Sequence, residues 1–483
     1  MSWAAVTKLI GTLLMLIAAS MTLPITWAFW TGEGDFVPLL CGAVLAALAG
    51  AVMWWMSRRA GELSSRDAFA AATIGWVLVS AFSAVPFVLH GSIGPIDAFF
   101  EMMSGYTTTG STILTDIETL PRGLLLWRSE THLIGGMGFV TLAVTVLPHG
   151  LGGVRLFRAE SSPGQVVTRE RFLPRNRDAI RTLWAIYLTL NAAQVLLLLA
   201  GGMSLFDGLC HAFGTVSTSG FSPYNASVGH YDNLWFDGVI TAFMFLGGTT
   251  FLLFYAGWMG DWATIRENTE LRWYLMICAG LCVGVALILW ASGVYGGVDS
   301  VRHGTFQVMS LLTTTGYSTA DYEVWPASAQ VLLVIACLIG ACAGSTTSGI
   351  KIVHFVLITK FLVAEIHRQY VQPLAVVSVR LNGRRVEPAI IHLALAYFTV
   401  NIFMVLGGAF VVTLADPVDL ETALSAVVAT LMNIGPGWGA VGPTDNFAHL
   451  TAFTKLFLAL NMLVGRLEMF SVLILFHPGF WRQ

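Results

Sequence analysis

The chain has 483 residues, 56% of them hydrophobic and 11% charged, with a net charge of −3. Soluble domains carry about 25% charged residues, so this composition excludes a soluble enzyme or module and indicates a polytopic membrane protein. No basic cluster interleaved with aromatics points to nucleic acid, and Cys41, Cys210, Cys278, Cys282, Cys337 and Cys342 show neither a CxxC nor a Cys/His spacing that would suggest a disulfide framework or zinc.

In chain order, apolar runs over 10–30 and 37–56 are each about the 20 residues a bilayer needs. The first run follows Lys8, lacks a small-residue cleavage site and is read as a retained helix rather than a signal peptide. Past a polar stretch with Arg58, Arg59 and Arg66, the chain repeats one pattern: span, short amphipathic helix, polar loop, span. The first copy places spans at 68–90 and 124–147 around a short helix near 95–106. Arginine-rich residues 148–181 follow, then spans at 182–202 and 234–258. The third copy has spans at 271–292 and, interrupted, 329–363; a polar segment over 364–388 leads to spans at 389–414 and 450–476. The fold class expected is all-α and polytopic: ten spans, four pseudo-repeats of helix, pore helix, filter loop and helix around a central pore, and two additional N-terminal helices. The units expected are 1–67, 68–150, 151–262, 263–368 with an intramembrane loop at 340–350, and 369–483.

The repeated loops carry the chemistry. They read Thr107-Thr108-Thr109-Gly110, Ser217-Thr218-Ser219-Gly220, Thr313-Thr314-Thr315-Gly316 and, most diverged, Asn433-Ile434-Gly435. Thr/Ser runs closed by glycine offer carbonyl and hydroxyl oxygens as hard ligands, and glycine permits a left-handed backbone. Irregular backbone at membrane depth is tolerated only where protein buries it or water reaches it. Four such loops around one axis would replace an alkali cation's hydration shell. Thr108, Thr109, Gly110, Thr218, Ser219, Gly220, Thr314, Thr315, Gly316, Asn433, Ile434 and Gly435 are the candidate K⁺-binding residues.

Orientation follows from charge. With the N-terminus cytoplasmic, most of the 25 lysines and arginines fall on the cytoplasmic side, whereas Arg122, Arg128 and Arg302 face outward. Both termini are then cytoplasmic, and all four loops face outside. Acids including Asp97, Asp116, Asp232, Asp299, Asp321, Glu323 and Asp445 gather near the outer face, as in a cation-attracting vestibule.

Two further features concern gating. Residues 340–349 are ten consecutive small residues with three glycines, interrupting the 329–363 span. They are either a helix-packing face or an intramembrane loop able to block the pore, with Gly344, Ser345, Thr346, Thr347, Ser348, Gly349 and Lys351 as its working residues. Arg466 lies inside the last apolar run, where a charge must face protein or water. Glu468, two positions on and roughly 200° round a helix, would not share its face.

These motifs, with Ser104-Gly105-Tyr106, Ile134-Gly135-Gly136-Met137-Gly138, Thr315-Gly316-Tyr317-Ser318 and Gly465-Arg466-Leu467-Glu468, resemble the Trk/Ktr/HKT superfamily of potassium transporters. Length and the two additional N-terminal spans resemble its TrkH/TrkG-type branch. The second loop departs in opening with Ser217, and Ser348 stands where the family often has glycine. The resemblance implies potassium uptake across the bacterial inner membrane, a gating loop in the third repeat, and an arginine at 466 pointing into the permeation path. It also implies a homodimer contacting a cytosolic TrkA-like ring of Rossmann-type subunits that bind NAD(H) or ATP. This chain has no GxxxxGK[ST] or GxGxxG of its own, so K⁺ is expected as cargo and no organic cofactor is expected. The arginines of 148–181 and 364–388 would meet that ring or anionic membrane lipid. The alternative is a less selective Na⁺/K⁺ transporter or a cation symporter of the same fold. An enzyme would need Ser217 or Ser345 as nucleophile, but no GxSxG or HExxH accompanies them.

Overall fold

In a computed structural model, residues 1–61, 63–138, 177–370 and 378–481 are described. Expectations for 139–176 and 371–377, including the end of the 124–147 span and most of the arginine-rich segment, lie outside the described residues.

Among the described residues the fold is all-α apart from a two-residue antiparallel ladder, Arg380–Leu381 (β1) with Arg384–Arg385 (β2). The first apolar run begins earlier than expected: α1 (Trp3–Ser20) passes almost directly into α2 (Thr22–Thr31). Next come α3 (Phe36–Met56) and α4 (Ser65–His90), the latter opened by a capping box between Ser64 and Asp67. α1 packs on α3 where Gly11 and Gly50 face one another, and a Cβ on Gly11 would sit 2.7 Å from the Gly50 carbonyl oxygen. Absent side chains let the two backbones touch, which is how helices associate where lipid removes the hydrophobic drive.

Four short buried helices follow the repeat pattern: α5 (Pro95–Tyr106), α8 (Leu205–Val216), α13 (Gly297–Leu312) and α17 (Leu420–Leu431). Before three of them stand α4, α7 (Arg177–Ala200) and α12 (Thr269–Ala291); α16 (Pro388–Ala415) stands before the fourth. α16 leaves Phe403, Phe410 and Leu414 outward and exposed, the lipid-facing arrangement expected of a span.

Two segments after the loops, 234–258 and 450–476, differ from the uninterrupted spans expected, whereas 329–363 is interrupted at its small-residue segment as expected. α6 (Arg122–Gly136) is described only to its glycine pair. The predicted span 234–258 is two helices, α9 (Leu234–Gly247) and α10 (Phe251–Trp258), bent by 90°. The short α11 (Trp262–Glu267) then leads into α12. α14 (Ala327–Leu338) and α15 (Ile352–Arg368) are separated by the small-residue segment. α18 (Ala452–Arg466) and α19 (Phe470–Phe476) are bent by 119° and are followed by α20 (Pro478–Trp481). Hydropathy continues across each break, so composition alone joins the halves. Close glycine contacts mark the ends of α6 and α18: a Cβ on Gly135 would overlap the Tyr106 carbonyl, and one on Gly465 the Leu431 carbonyl. These glycines let the long helix press against the end of the short one.

Candidate functional site

Each short helix ends at its loop in the same way. The third loop residue donates its N–H five residues back: Thr109 to Ser104 O (2.9 Å), Ser219 to Gly214 O, Thr315 to Ser310 O and Ile434 to Ala429 O (2.8 Å each). In three repeats the first loop hydroxyl bonds both the helix and the third hydroxyl. Thr107 Oγ1 reaches Met103 O at 2.6 Å and Thr109 Oγ1 at 2.8 Å, Thr313 does the same with Met309 O and Thr315, and Ser217 does so with Phe213 O and Ser219. In the fourth, Asn433 Nδ2 instead donates to Thr109 Oγ1 of the first loop (2.7 Å) and to Met462 O (3.0 Å).

The left-handed backbone is not confined to glycine. Thr108, Thr218, Thr314 and Asn433 have φ of 55°, 55°, 54° and 54°, and Gly110, Gly220, Gly316 and Gly435 have 84°, 80°, 81° and 104°. The same alternation of left-handed residues recurs in all four loops. A Cβ on Gly110 would overlap the Ser219 carbonyl oxygen, one on Gly220 that of Thr315, and one on Gly316 that of Ile434; on Gly435 it would lie 2.8 Å from that of Thr109. Loop one therefore touches two, two touches three, three touches four and four touches one. The twelve residues singled out in the sequence come together as one closed ring. Outside it is a cavity of about 180 Å³ lined by all four glycines, Asp445 and Arg128.

The outer acids divide. Asp97 pairs with Lys455 (2.7 Å), Asp232 with Arg302 (2.9 Å) and Glu33 with Arg122 (3.7 Å), so these hold loops and helices together as much as they charge a vestibule. Glu323, in the loop after Gly316, accepts the Gly439 N–H (2.6 Å). Burial first, opposed by that bond and reinforced by Asp321, Asp445 and Glu421, raises its carboxyl above the usual range.

The small-residue segment lies beneath the ring. Its Thr346 Oγ1 donates to Val216 O (2.9 Å) and Gly247 O (3.1 Å), Thr218 Oγ1 donates to Thr346 Oγ1 (3.3 Å), and Ser348 N donates to Thr314 Oγ1 (3.3 Å). Gly344 and Gly349 take φ of 73° and 74°, and Ser345 Oγ donates to Cys342 O (2.6 Å). Lys351, expected at a cytoplasmic edge, is buried; its Nζ turns back to Thr347 O and Thr347 Oγ1. Two holders escaped the sequence reading: Glu270 on α12 accepts the Ala343 N–H (2.7 Å), and Thr250, in the α9–α10 break, donates to Ala343 O (2.7 Å). No motif marks either one.

Arg466 closes α18 rather than lying within a continuous span. Nη1 donates to Thr108 Oγ1 (3.1 Å), Thr346 O (2.8 Å) and Ser348 Oγ (3.3 Å), and Nη2 to Gly135 O (2.6 Å) and Gly136 O (2.8 Å). One guanidinium thus joins the first loop, the segment beneath the ring and the end of α6. The chain leaves the helix after it, with Glu468 at φ 53° and Met469 at φ 42°, so the helical angle expected between Arg466 and Glu468 does not apply.

Long apolar helices, four buried helix–loop units and a closed oxygen-bearing ring define a polytopic helical membrane protein of the transporter class. The TrkH family, described as cation transport proteins, matches residues 39–482. The chain belongs to that family. It is 35% identical over 491 residues to the Trk system potassium uptake protein TrkH of Halomonas elongata, with both chains fully covered. It is likewise 35% identical over 489 residues to TrkH of Escherichia coli, again with full coverage of both. The crystal structure of the potassium transporter TrkH from Vibrio parahaemolyticus superposes with a TM-score of 0.87 at 30% identity, covering 100% of each chain.

Proposed function

We propose that this chain is the potassium-translocating membrane subunit of a bacterial uptake system, seated in the inner membrane with both termini in the cytoplasm. The observation that carries the reading is the cyclic contact of Gly110, Gly220, Gly316 and Gly435 with the carbonyls of neighbouring loops. A cation entering from the outer cavity exchanges water for carbonyl and hydroxyl oxygens of the ring. The C-terminal ends of the four short helices, partially negative through their aligned dipoles, favour that exchange. Beneath the ring, 340–350 acts as a gate in its blocking position, latched to Thr218 and Thr314. Arg466 opposes tight cation binding and holds the gate through Thr346 and Ser348. Because hydroxyl and backbone bonds hold the segment, its two positions can differ by only a few kcal/mol, within reach of a partner's binding energy. That partner is a cytosolic nucleotide-binding ring acting on a homodimer of this chain. The relatives' names, a potassium uptake protein of a Trk system among them, support the cargo and the existence of further components.

A less selective Na⁺/K⁺ transporter is the second reading, favoured by the fourth loop. It has Asn433 and Ile434 in place of threonines, and its glycine makes the loosest contact, at 2.8 Å. Flux of K⁺, Rb⁺, Na⁺ and Li⁺ into vesicles containing the purified chain separates the two. Preference for K⁺ and Rb⁺ is expected; equal entry of Na⁺ would favour the second reading, and absence of cation flux with and without a cytosolic fraction would end both.

A further inference from the structure

Behind the first two loops lies a buried ion pair that the translocation reading does not use. Glu101, on α5, is fully buried, and Arg128, on α6, is 1% exposed. Arg128 Nε donates to Glu101 Oε1 at 2.6 Å. The carboxylate's other partners belong to the outward strand of loop one: Thr112 Oγ1 donates to Oε1 (2.9 Å) and the Ile113 N–H to Oε2 (3.0 Å). The guanidinium's other contacts belong to loop two. Nη1 donates to Ser222 O (3.0 Å), and the group lies 3.5 Å from the ring centroid of Phe221, the residue directly after Gly220. A single ion pair therefore fastens both loops just outside the point where Gly110 meets Ser219.

The position is a repeated one that only the first repeat has made ionic. Nine residues before the glycines at 110, 220, 316 and 435 stand Glu101, His211, Gln307 and Ala426. His211 Nε2 pairs with Ser222 Oγ (3.3 Å) and Gln307 Nε2 donates to Ala320 O (3.1 Å), each within its own repeat. Ala426 has no polar group to offer. Among the hydrogen bonds made by side chains at these four positions, only the Glu101–Arg128 pair reaches into the next repeat, through Ser222; His211 meets the third repeat by ring contact with Tyr317. A buried ion pair adds little net stability over apolar packing, and its documented use is to fix one arrangement against competitors. The arrangement within its reach is the spacing of loops one and two.

We propose that Glu101 and Arg128 are positioning residues for cation selectivity, bracing loop one against loop two so that the ring keeps the diameter of the larger, weakly hydrated alkali cations. The inference rests on the translocation reading above and adds the residues that set its specificity. Without the brace the first two loops relax toward each other, and the smaller Na⁺ gains access.

The test is the Rb⁺-to-Na⁺ flux ratio in vesicles containing purified wild type, the double variant Glu101→Gln/Arg128→Met, and Arg128→Lys, with size-exclusion profiles for each. The double variant removes both charges and leaves no buried charge unpaired. Lysine keeps the charge but cannot bond Glu101 and Ser222 together. For both, the ratio is expected to fall about tenfold, the size of one lost charge-assisted hydrogen bond, through a rise in Na⁺ entry that mere destabilisation would not produce. Should the double variant not fold, Arg128→Lys decides alone. A selective wild type with an equally selective folded variant overturns this inference and leaves the translocation reading standing. A wild type without selective cation flux overturns that reading and this inference with it.

Discussion

Thr108, Thr218, Thr314 and Asn433 hold φ near 54°, a region that costs a β-branched residue about 1–2 kcal/mol. The cost is met locally, because the next residue donates back to the short helix in every repeat. The threonine runs and closing glycines could be read from the sequence, since their chemistry is in the side chains. The left-handed threonines could not, since nothing in a threonine announces φ > 0. Nor could the role of Arg128, which charge counting places on the outer side and which the fold buries against Glu101. At this scale substitution effects should be graded. Gly316→Ala puts a methyl into the Ile434 carbonyl and should lower the Rb⁺-to-Na⁺ flux ratio by about a hundredfold, as removal of an ordered ligand layer would. Gly435→Ala, whose methyl would still crowd the Thr109 carbonyl oxygen at 2.8 Å but less closely than at the other three, should lower it least of the four. Equal effects at all four positions would refute the closed-ring geometry. Arg466→Ala removes the bonds to Thr108, Thr346 and Ser348 together and should raise basal Rb⁺ entry about tenfold. Poor insertion with normal flux per molecule would instead make Arg466 a purely structural residue.

Among the elements, the short helices were the most legible and the broken spans the least. The amphipathic run at 95–106 matches α5 end to end, because proline opens it and a threonine tract follows. Apolar runs flank Gly247–Thr250 and Leu467–Met469 on both sides, and periodicity does not register a 90° or 119° turn when both halves are apolar. At the turns the chain meets residues far off in sequence, Gly465 against Leu431 and Gly248 and Thr250 against Ala341 and Ala343, which the local sequence does not contain. Outer loops are tied across repeats in the same way, and Glu323 gives one such tie a pH signature. Its carboxyl is raised by burial, so the folded state holds the proton more tightly than the unfolded chain. The resulting stability is fully present below the unfolded value, about 4.3, and is lost as pH rises through the raised one. Glu323→Gln cannot ionise, so the wild-type Tm in detergent should fall progressively below that of the variant as pH rises from about 4 to neutrality. A difference independent of pH would show that the carboxyl is not perturbed.

The molecule as a whole couples two layers, a closed ring and a segment latched beneath it. Repetition made the ring legible, since four loops at matched positions imply one axis. The latch was legible only as a break in a span; its fasteners Glu270 and Thr250 come from elements with no motif at all. Those fasteners bear on the choice between a packing face and a gate. A packing face works through apolar contact with neighbouring helices, and its removal should give misfolded protein without flux. The segment from Ala343 to Ser348 is instead held by hydrogen bonds to Glu270, Thr250, Gly247, Thr218, Thr314 and Arg466, with the Thr346 hydroxyl meeting Thr218 of the ring. Such bonds exchange for water at a net cost of about 1 kcal/mol each, so the segment can leave without unfolding its surroundings. Deleting residues 343–348 should therefore yield monodisperse protein whose Rb⁺ entry into vesicles is raised about tenfold or more and no longer responds to nucleotide or to a cytosolic fraction. A folded deletion variant with wild-type, still-regulated flux would show that cations pass elsewhere, and that the latch beneath the ring is scaffolding.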